Sequence, residues 1–272
     1  MSVRYTIKRL CPPLLADLLR GRPILPRPIW EGIYPDLRSV PTANGTYNTD
    51  ARVTQFVDWT RCAMLTGDSG YWHKPLGLLA ASISGNRCEI RVLDFGGGVG
   101  LAYVQVLSSL RGNHAISYHV VELEKMCAAG RRLFADDPRI QFHTFLPALR
   151  DKLDIVYASG LLPYIDDYAG LVRQLAGLNA SYIMLTHVAA GRFRTYAARQ
   201  LNLSGQILPY WFLNLDELID IVVACDYMLV YEDQAGPEYD QSNYPPTHRI
   251  GRMRNLLFVR NASKRSCDED CL

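Results

Sequence analysis

One short segment constrains this chain more than any other: Val92-Leu93-Asp94-Phe95-Gly96-Gly97-Gly98-Val99-Gly100. The apolar run Glu89–Phe95 predicts a strand and Leu101–Leu110 a helix, so glycines 96, 98 and 100 fall in a strand-to-helix turn. A turn of that composition lets a ligand lie against bare backbone. The dinucleotide pattern GxGxxG would need Gly or Ala at 101, where Leu101 stands; the register is GxGxG instead. A diphosphate needs a helix N-terminus aimed at it, whereas Asp94 brings a carboxylate to the ligand and favours a cationic or amino-bearing group. A second run, Ser117–Glu122, ends in an acid that can accept both ribose hydroxyls of an adenosine. Two acids and a glycine turn make an adenosyl pocket.

The pattern around this turn is regular. Strands are predicted again at Ile140–Thr144, Asp154–Ala158 and Tyr182–Val188, with helices at Glu124–Phe134, Asp167–Leu178 and Leu215–Cys225. Strands alternating with helices of this size point to a parallel sheet covered on both faces, because a parallel crossover needs such a connection. Tyr227–Tyr231 and Asn255–Val259 have no good helix between them and read as an antiparallel pair. Ahead of the sheet, residues 21–50 are rich in Pro and Gly and read as an irregular arm. Helical spacing around Phe56, Val57, Met64 and Leu65 is interrupted at Gly67–Gly70 and followed by Tyr71, Trp72 and His73.

Composition narrows the setting. With 29 basic and 27 acidic side chains the net charge is +2, and no basic cluster lies in the sheet region, so nucleic acid is not the expected partner. Seven dispersed cysteines without a CxxC pair argue against a disulfide framework and a tetrahedral zinc site, and suit a cytoplasmic protein. No signal peptide or membrane span is legible. Residues 1–27 nevertheless carry Arg4, Lys8, Arg9, Arg20, Arg22 and Arg27 against Asp17 alone, interleaved with leucines. That pattern suits either peripheral contact with an anionic membrane face or a helix packing on its own protein. No metal-ligand spacing is apparent among the histidines and acids, which predicts metal independence.

Asp94-x-Gly96-x-Gly98-x-Gly100 with Glu122 resembles motif I and the acidic second-strand end of the class I S-adenosylmethionine-dependent methyltransferases. Leu153–Tyr164 resembles their fourth strand and following loop, and Asn214–Leu218 leading into Cys225–Val230 their late helix and sixth strand. More narrowly, Ile29–Tyr34, Leu93–Gly97, His119–Glu122 and Pro209–Phe212 are similar to a family of methyltransferases from bacterial surface-polysaccharide gene clusters. The resemblance implies a Rossmann-like α/β fold with seven strands, the last antiparallel. It implies S-adenosylmethionine as cofactor, its methionine part cradled by Asp94 and the backbone of Gly96, Gly97, Gly98 and Gly100, and its ribose on Glu122. Adenine would pack on Phe145 or Leu146, and Ser159 and Gly160 would line the floor beneath the sulfonium. It covers roughly residues 85–260, leaving 1–84 as a basic segment and aromatic arm or cap, 189–213 as a cap insertion and 261–272 as a frayed tail.

Methyl transfer needs in-line orientation above all, and a base only if the acceptor is a hydroxyl. His187 closes the fifth strand of the sheet at its carboxyl edge and is the most economical base; the alternative is an edge histidine with no proton to move. Tyr164 and Asp166 follow the fourth strand and would hold or deprotonate the acceptor, although Asp166 or Asp167 equally suits a helix cap. His73, His119 and His143 are weaker candidates, with His119 placed as structural. Trp30, Tyr34, Trp72, Tyr210 and Trp211 lie outside the predicted strands, where they either stack on an acceptor or cover the core. Arg192, Arg194 and Arg199 either hold an anionic acceptor or are simply solvated. The expected function is O-methylation of a small-molecule or glycan acceptor. An NAD(P)-dependent oxidoreductase, disfavoured by Leu101, and a non-catalytic adenosyl-ligand-binding protein are the alternatives.

Overall fold

The computed structural model describes residues 28–43, 48–85, 89–110, 115–149, 151–203 and 206–261. The basic leucine-bearing segment 1–27 and the tail 262–272 lie outside them. Chain order runs β1 (Trp30–Tyr34), α1 (Asp50–Thr66), α2 (Lys74–Ser84), β2 (Glu89–Phe95), α3 (Leu101–Ser109), β3 (Ala115–Val121), α4 (Glu124–Leu133) and β4 (Ile140–His143). It continues through β5 (Ile155–Ser159), α5 (Tyr168–Ala176), β6 (Tyr182–Val188), β7 (Ala190–Gly191), β8 (Tyr196–Gln200), β9 (Leu208–Asn214), α6 (Leu215–Val223), β10 (Tyr227–Ala235) and β11 (Met253–Arg260).

Seven strands form the main sheet in the order β10-β11-β6-β5-β2-β3-β4. Pairings β2–β3, β2–β5, β3–β4 and β5–β6 are parallel, whereas β11 runs antiparallel to both β6 and β10. This is the seven-stranded α/β architecture expected, with the antiparallel pair where the helix between strands is lacking. Because both faces are covered, the central strands are apolar almost throughout: Ile90, Val92, Leu93, Ile155, Val156 and Tyr157 are fully buried. One face packs on α5 and α6 through Val172, Leu175, Leu215, Leu218 and Val222; the other packs on α2 and α3 through Leu76, Leu79, Ala102, Tyr103 and Val106.

Local chemistry sets the helix ends. Thr49 caps α1 by accepting from the Arg52 amide, and Gly67, at φ 70°, stops it, its amide returning to the Ala63 carbonyl at 2.7 Å. Asn214 caps α6 through the Glu217 amide, and Asp167, not Asp166, caps α5 through Gly170.

Three sequence expectations are corrected. The arm is not wholly irregular, since Trp30–Tyr34 pairs antiparallel with β8; its partner supplies the order that its own Pro- and Gly-rich surroundings do not. Tyr210 and Trp211 are strand residues, part of β9 in a four-stranded sheet ordered β1-β8-β9-β7 that comprises much of the 189–213 insertion. The expected boundary at 84/85 cuts through a shared core, because Leu76, Leu79 and Ala80 of α2 are buried against the main sheet's own residues. Trp30, Tyr210 and Trp211 are 3%, 4% and 7% exposed, so these three cover core.

Candidate active site

The parallel strands bring the glycine turn, Glu122 and the end of β5 to one carboxyl edge, where open α/β sheets bind ligands. Gly98 shows why glycine is needed in the turn. Its φ is +59°, and a Cβ there would lie 2.8 Å from Cδ1 of Phe56 on α1, so a side chain would be excluded twice over. Gly97 lies so close to Asp94 that a Cβ would run into the carboxylate.

Asp94 is 1% exposed and accepts a 2.8 Å hydrogen bond from the Tyr118 hydroxyl. Burial pushes its pKa up to about 7; the Tyr118 bond opposes this and the charge of Glu122 adds to it. Glu122, half-buried, is raised by burial too, against the pull of the Leu123 and Gly98 amides that donate to it. The two acids named from sequence therefore act on one another across the turn. A cationic group beside them would return both to their charged forms, so the donor set and the side-chain-free cradle fit an adenosyl sulfonium with an amino group.

Phe145 and Leu146 separate: Phe145 is 74% exposed and free to cover a flat ring, while Leu146 packs partly onto the core. Ser159 ends β5, and Gly160 follows at φ +62° with its amide bonded to the Thr186 carbonyl.

His187 lies directly against Gly160, where a Cβ would be 2.9 Å from the imidazole Nδ1. Its backbone is left-handed at φ 55°, a conformation that costs a non-glycine residue about 1–2 kcal/mol. The ring stacks on Trp72 with centroids 3.7 Å apart and planes at 17°. Burial lowers its pKa to about 4, so it is neutral at pH 7. The other described histidines are tied up. His73 Nδ1 meets the Tyr157 hydroxyl at 2.9 Å, His119 and His143 meet each other at 3.1 Å, and His248 meets Thr247 at 3.0 Å. His187 alone has neither ring nitrogen in a hydrogen bond among the described residues, whereas each of the others has at least one engaged.

The remaining candidates are placed differently. The Tyr164 hydroxyl donates to Gln200 in β8 at 2.8 Å, joining the end of β5 to the small sheet. Asp166, expected as a catalytic group, is exposed and accepts two hydrogen bonds from Arg38, 2.8 and 3.1 Å long; a solvated, paired carboxylate is a poor base. Arg192 and Arg199 pair with Asp216 and Glu31, leaving Arg194 as the insertion arginine with no carboxylate partner among the described residues. Sequence reasoning gave no role at the site to Phe56, Tyr118 or Asn255, whose amide oxygen accepts the His187 backbone N–H at 3.2 Å. The one available signal was Asn255 itself, a polar residue opening the apolar run Leu256–Val259.

No family model and no curated protein matches the chain. Solved structures do. A complex between the Haloferax volcanii Trm112 methyltransferase activator and a putative methyltransferase superposes with TM-score 0.50 at 11% identity, covering 78% of this chain and 96% of that one. Magnesium protoporphyrin IX methyltransferase from Synechocystis PCC 6803, with S-adenosylhomocysteine bound, gives 0.49 at 17% identity over 79% of this chain and 96% of that one. An S-adenosylmethionine-dependent methyltransferase from Mesorhizobium loti gives 0.49 at 14% identity over 70% and 99%. The chain has the class I methyltransferase fold. Among the described residues no helix is long and apolar enough to cross a membrane, and no cluster of three or more metal-ligating side chains occurs.

Proposed function

We propose that this chain is an S-adenosylmethionine-dependent methyltransferase that O-methylates a small-molecule or glycan acceptor. The observation that carries the reading is the convergence of Asp94 and Glu122, both raised by burial, on a glycine turn closed to side chains. A dinucleotide phosphate would find two carboxylates there; a sulfonium with an amino group finds complementary charge.

When bound, the cofactor supplies a methyl group on a positively charged sulfur. The chain's own residues do the rest. Asp94 and the backbone of Gly96, Gly97, Gly98 and Gly100 hold the methionine portion, Glu122 the ribose and Phe145 the adenine face, with Ser159 and Gly160 as the floor. His187 takes the proton from the acceptor hydroxyl: it is neutral, its nitrogens are free among the described residues, and it sits against Gly160. A desolvated imidazole is a weak base toward a free alcohol, so His187 would accept the proton only in concert with transfer of the methyl group from the sulfur, which would leave as the neutral thioether. Tyr164 orients the acceptor from the small-sheet side. The net charge of +2 and the pairing of Arg192 and Arg199 favour a neutral acceptor over a nucleic acid, and a glycan agrees with the surface-polysaccharide resemblance. The free thiols of Cys62, Cys127 and Cys225 suit a cytoplasmic setting. Residues 1–27 would add peripheral contact with an anionic membrane.

Calorimetry and thermal unfolding with S-adenosylmethionine, S-adenosylhomocysteine and NAD(P) test the cofactor. Saturable binding and stabilisation by the two adenosyl compounds alone is expected; stabilisation by NAD(P) alone overturns the assignment. Methyl transfer from labelled S-adenosylmethionine to a panel of sugars and nucleotide sugars then tests the acceptor class.

A further inference from the structure

We propose that Asn255 and Trp72 are positioning residues that hold the His187 imidazole in a single pose at the carboxyl end of β5. This rests on the reading of His187 as the base.

The device begins in the sheet. On β11, Arg254 pairs with Val188 and Leu256 with Leu185, so one residue, Asn255, faces two on β6, Thr186 and His187. That two-against-one arrangement is a β-bulge, which bends a strand and re-aims a side chain. It sends its two residues to different places. Thr186 is fully buried and its hydroxyl meets the Tyr157 hydroxyl at 2.8 Å, whereas His187 takes the left-handed backbone and remains half-buried at the edge.

Asn255 gives the bulge an acceptor. Its Oδ1 takes the His187 amide hydrogen at 3.2 Å, replacing the carbonyl that a regular ladder would offer. A buried amide inside an apolar strand is costly unless it is used, and Asn255 is 3% exposed. The left-handed turn it supports lays the ring against Gly160, the one kind of residue there that leaves room for Nδ1.

Trp72 closes the other face. Its indole stacks on the imidazole, and it is itself confined: Tyr71 lies 4.2 Å away by ring centroid, and a Cβ on Gly236 would collide with the indole. The next residue, His73, is hydrogen-bonded to Tyr157, whose hydroxyl also reaches the Trp72 carbonyl at 3.4 Å. Tyr157 thereby links both halves of the clamp, the bulge through Thr186 and the stack through residues 72 and 73.

The test uses the full-length chain with isotope-labelled histidine, followed by NMR, with the His187 ring signals assigned by their loss in His187→Asn. The indole ring current should place those ring protons upfield of every other histidine. Trp72→Leu and Asn255→Leu should each abolish the displacement, and Asn255→Asp, which keeps an acceptor oxygen, should retain it. Binding of S-adenosylhomocysteine should stay within about threefold of wild type in all of them, less than half of the 1.4 kcal/mol that a tenfold change represents. Should Asn255→Leu not fold, Asn255→Ala, which also removes the acceptor oxygen, and Trp72→Leu pose the same question. Ring signals that remain upfield in folded Asn255→Leu, or that move in Asn255→Asp as they do in Asn255→Leu, overturn the role of Asn255; unmoved signals in Trp72→Leu overturn that of Trp72. Wild-type methyl transfer by His187→Asn would overturn the base reading instead, and would leave these shifts as they are.

Discussion

The Tyr118 hydroxyl donates a 2.8 Å hydrogen bond to the Asp94 carboxylate beneath the glycine turn, tying neighbouring parallel strands together at the point where the site is most buried. This bond is what holds a carboxylate in an apolar interior. Tyr118→Phe should therefore cost about 1–3 kcal/mol of stability at pH 8, where Asp94 is ionised, and less at pH 5, where it is protonated. Urea unfolding at both pH values checks this, and equal losses would show that Asp94 does not titrate between them.

The same residue sets a pH dependence. The Asp94 pKa is 3.8 in its ordinary setting and about 7 in the folded chain, so between those values the folded state holds the extra proton. Its contribution to stability is full below pH 4 and is lost as pH rises through about 7. His73 and His187, each lowered to about 4, have the opposite slope, gaining stability up to their ordinary 6.5. The difference curve between the ligand-free wild type and Asp94→Asn isolates the carboxylate. It should fall from pH 4 to 7; a flat curve would place Asp94 in a wetter environment. Asp94→Asn should also weaken S-adenosylhomocysteine binding at least tenfold, about 1.4 kcal/mol.

Gly98→Ala introduces a methyl group 2.8 Å from Phe56 in a left-handed backbone. The strain alone predicts a loss of about 1–2 kcal/mol, with weaker adenosyl binding as the turn distorts. Adding Phe56→Ala should restore part of the stability but not the backbone share. A double-mutant cycle from unfolding curves measures this, and strictly additive losses would mean that α1 does not press on the turn.

Asp166→Asn should leave both the melting temperature and S-adenosylhomocysteine affinity at wild-type values, because an exposed ion pair with Arg38 contributes little. Loss of methyl transfer in this variant, with binding intact, would return Asp166 to the catalytic group.

The fold was largely legible because its signals are local. Each buried strand is a short apolar run, each crossover a helix-length segment, and Asp94, the glycines and Glu122 occupy strand ends that the alternation itself locates. The missing helix between β10 and β11 told of antiparallel pairing for the same reason. Where local signals were weak the reading fell short. Trp30–Tyr34 becomes a strand only by pairing with β8, far along the chain, and α2 joins the sheet's core although nothing in its sequence says which face of the molecule it will meet.

Chemistry divides along the same line. The residue types at the sheet's carboxyl edge were set by sequence, down to His187 and Asp94, one residue before the ends of β6 and β2, and Glu122, one residue past the end of β3. Which of them carry free atoms was decided by tertiary contact. Asp166 is taken up by Arg38, 128 residues away; His73 is taken up by Tyr157, 84 residues away; His187 is turned by Asn255, 68 residues away, and left with open nitrogens among the described residues. A hydrogen bond needs its partner within about 3.5 Å, and over such separations only the packed sheet brings two residues that close.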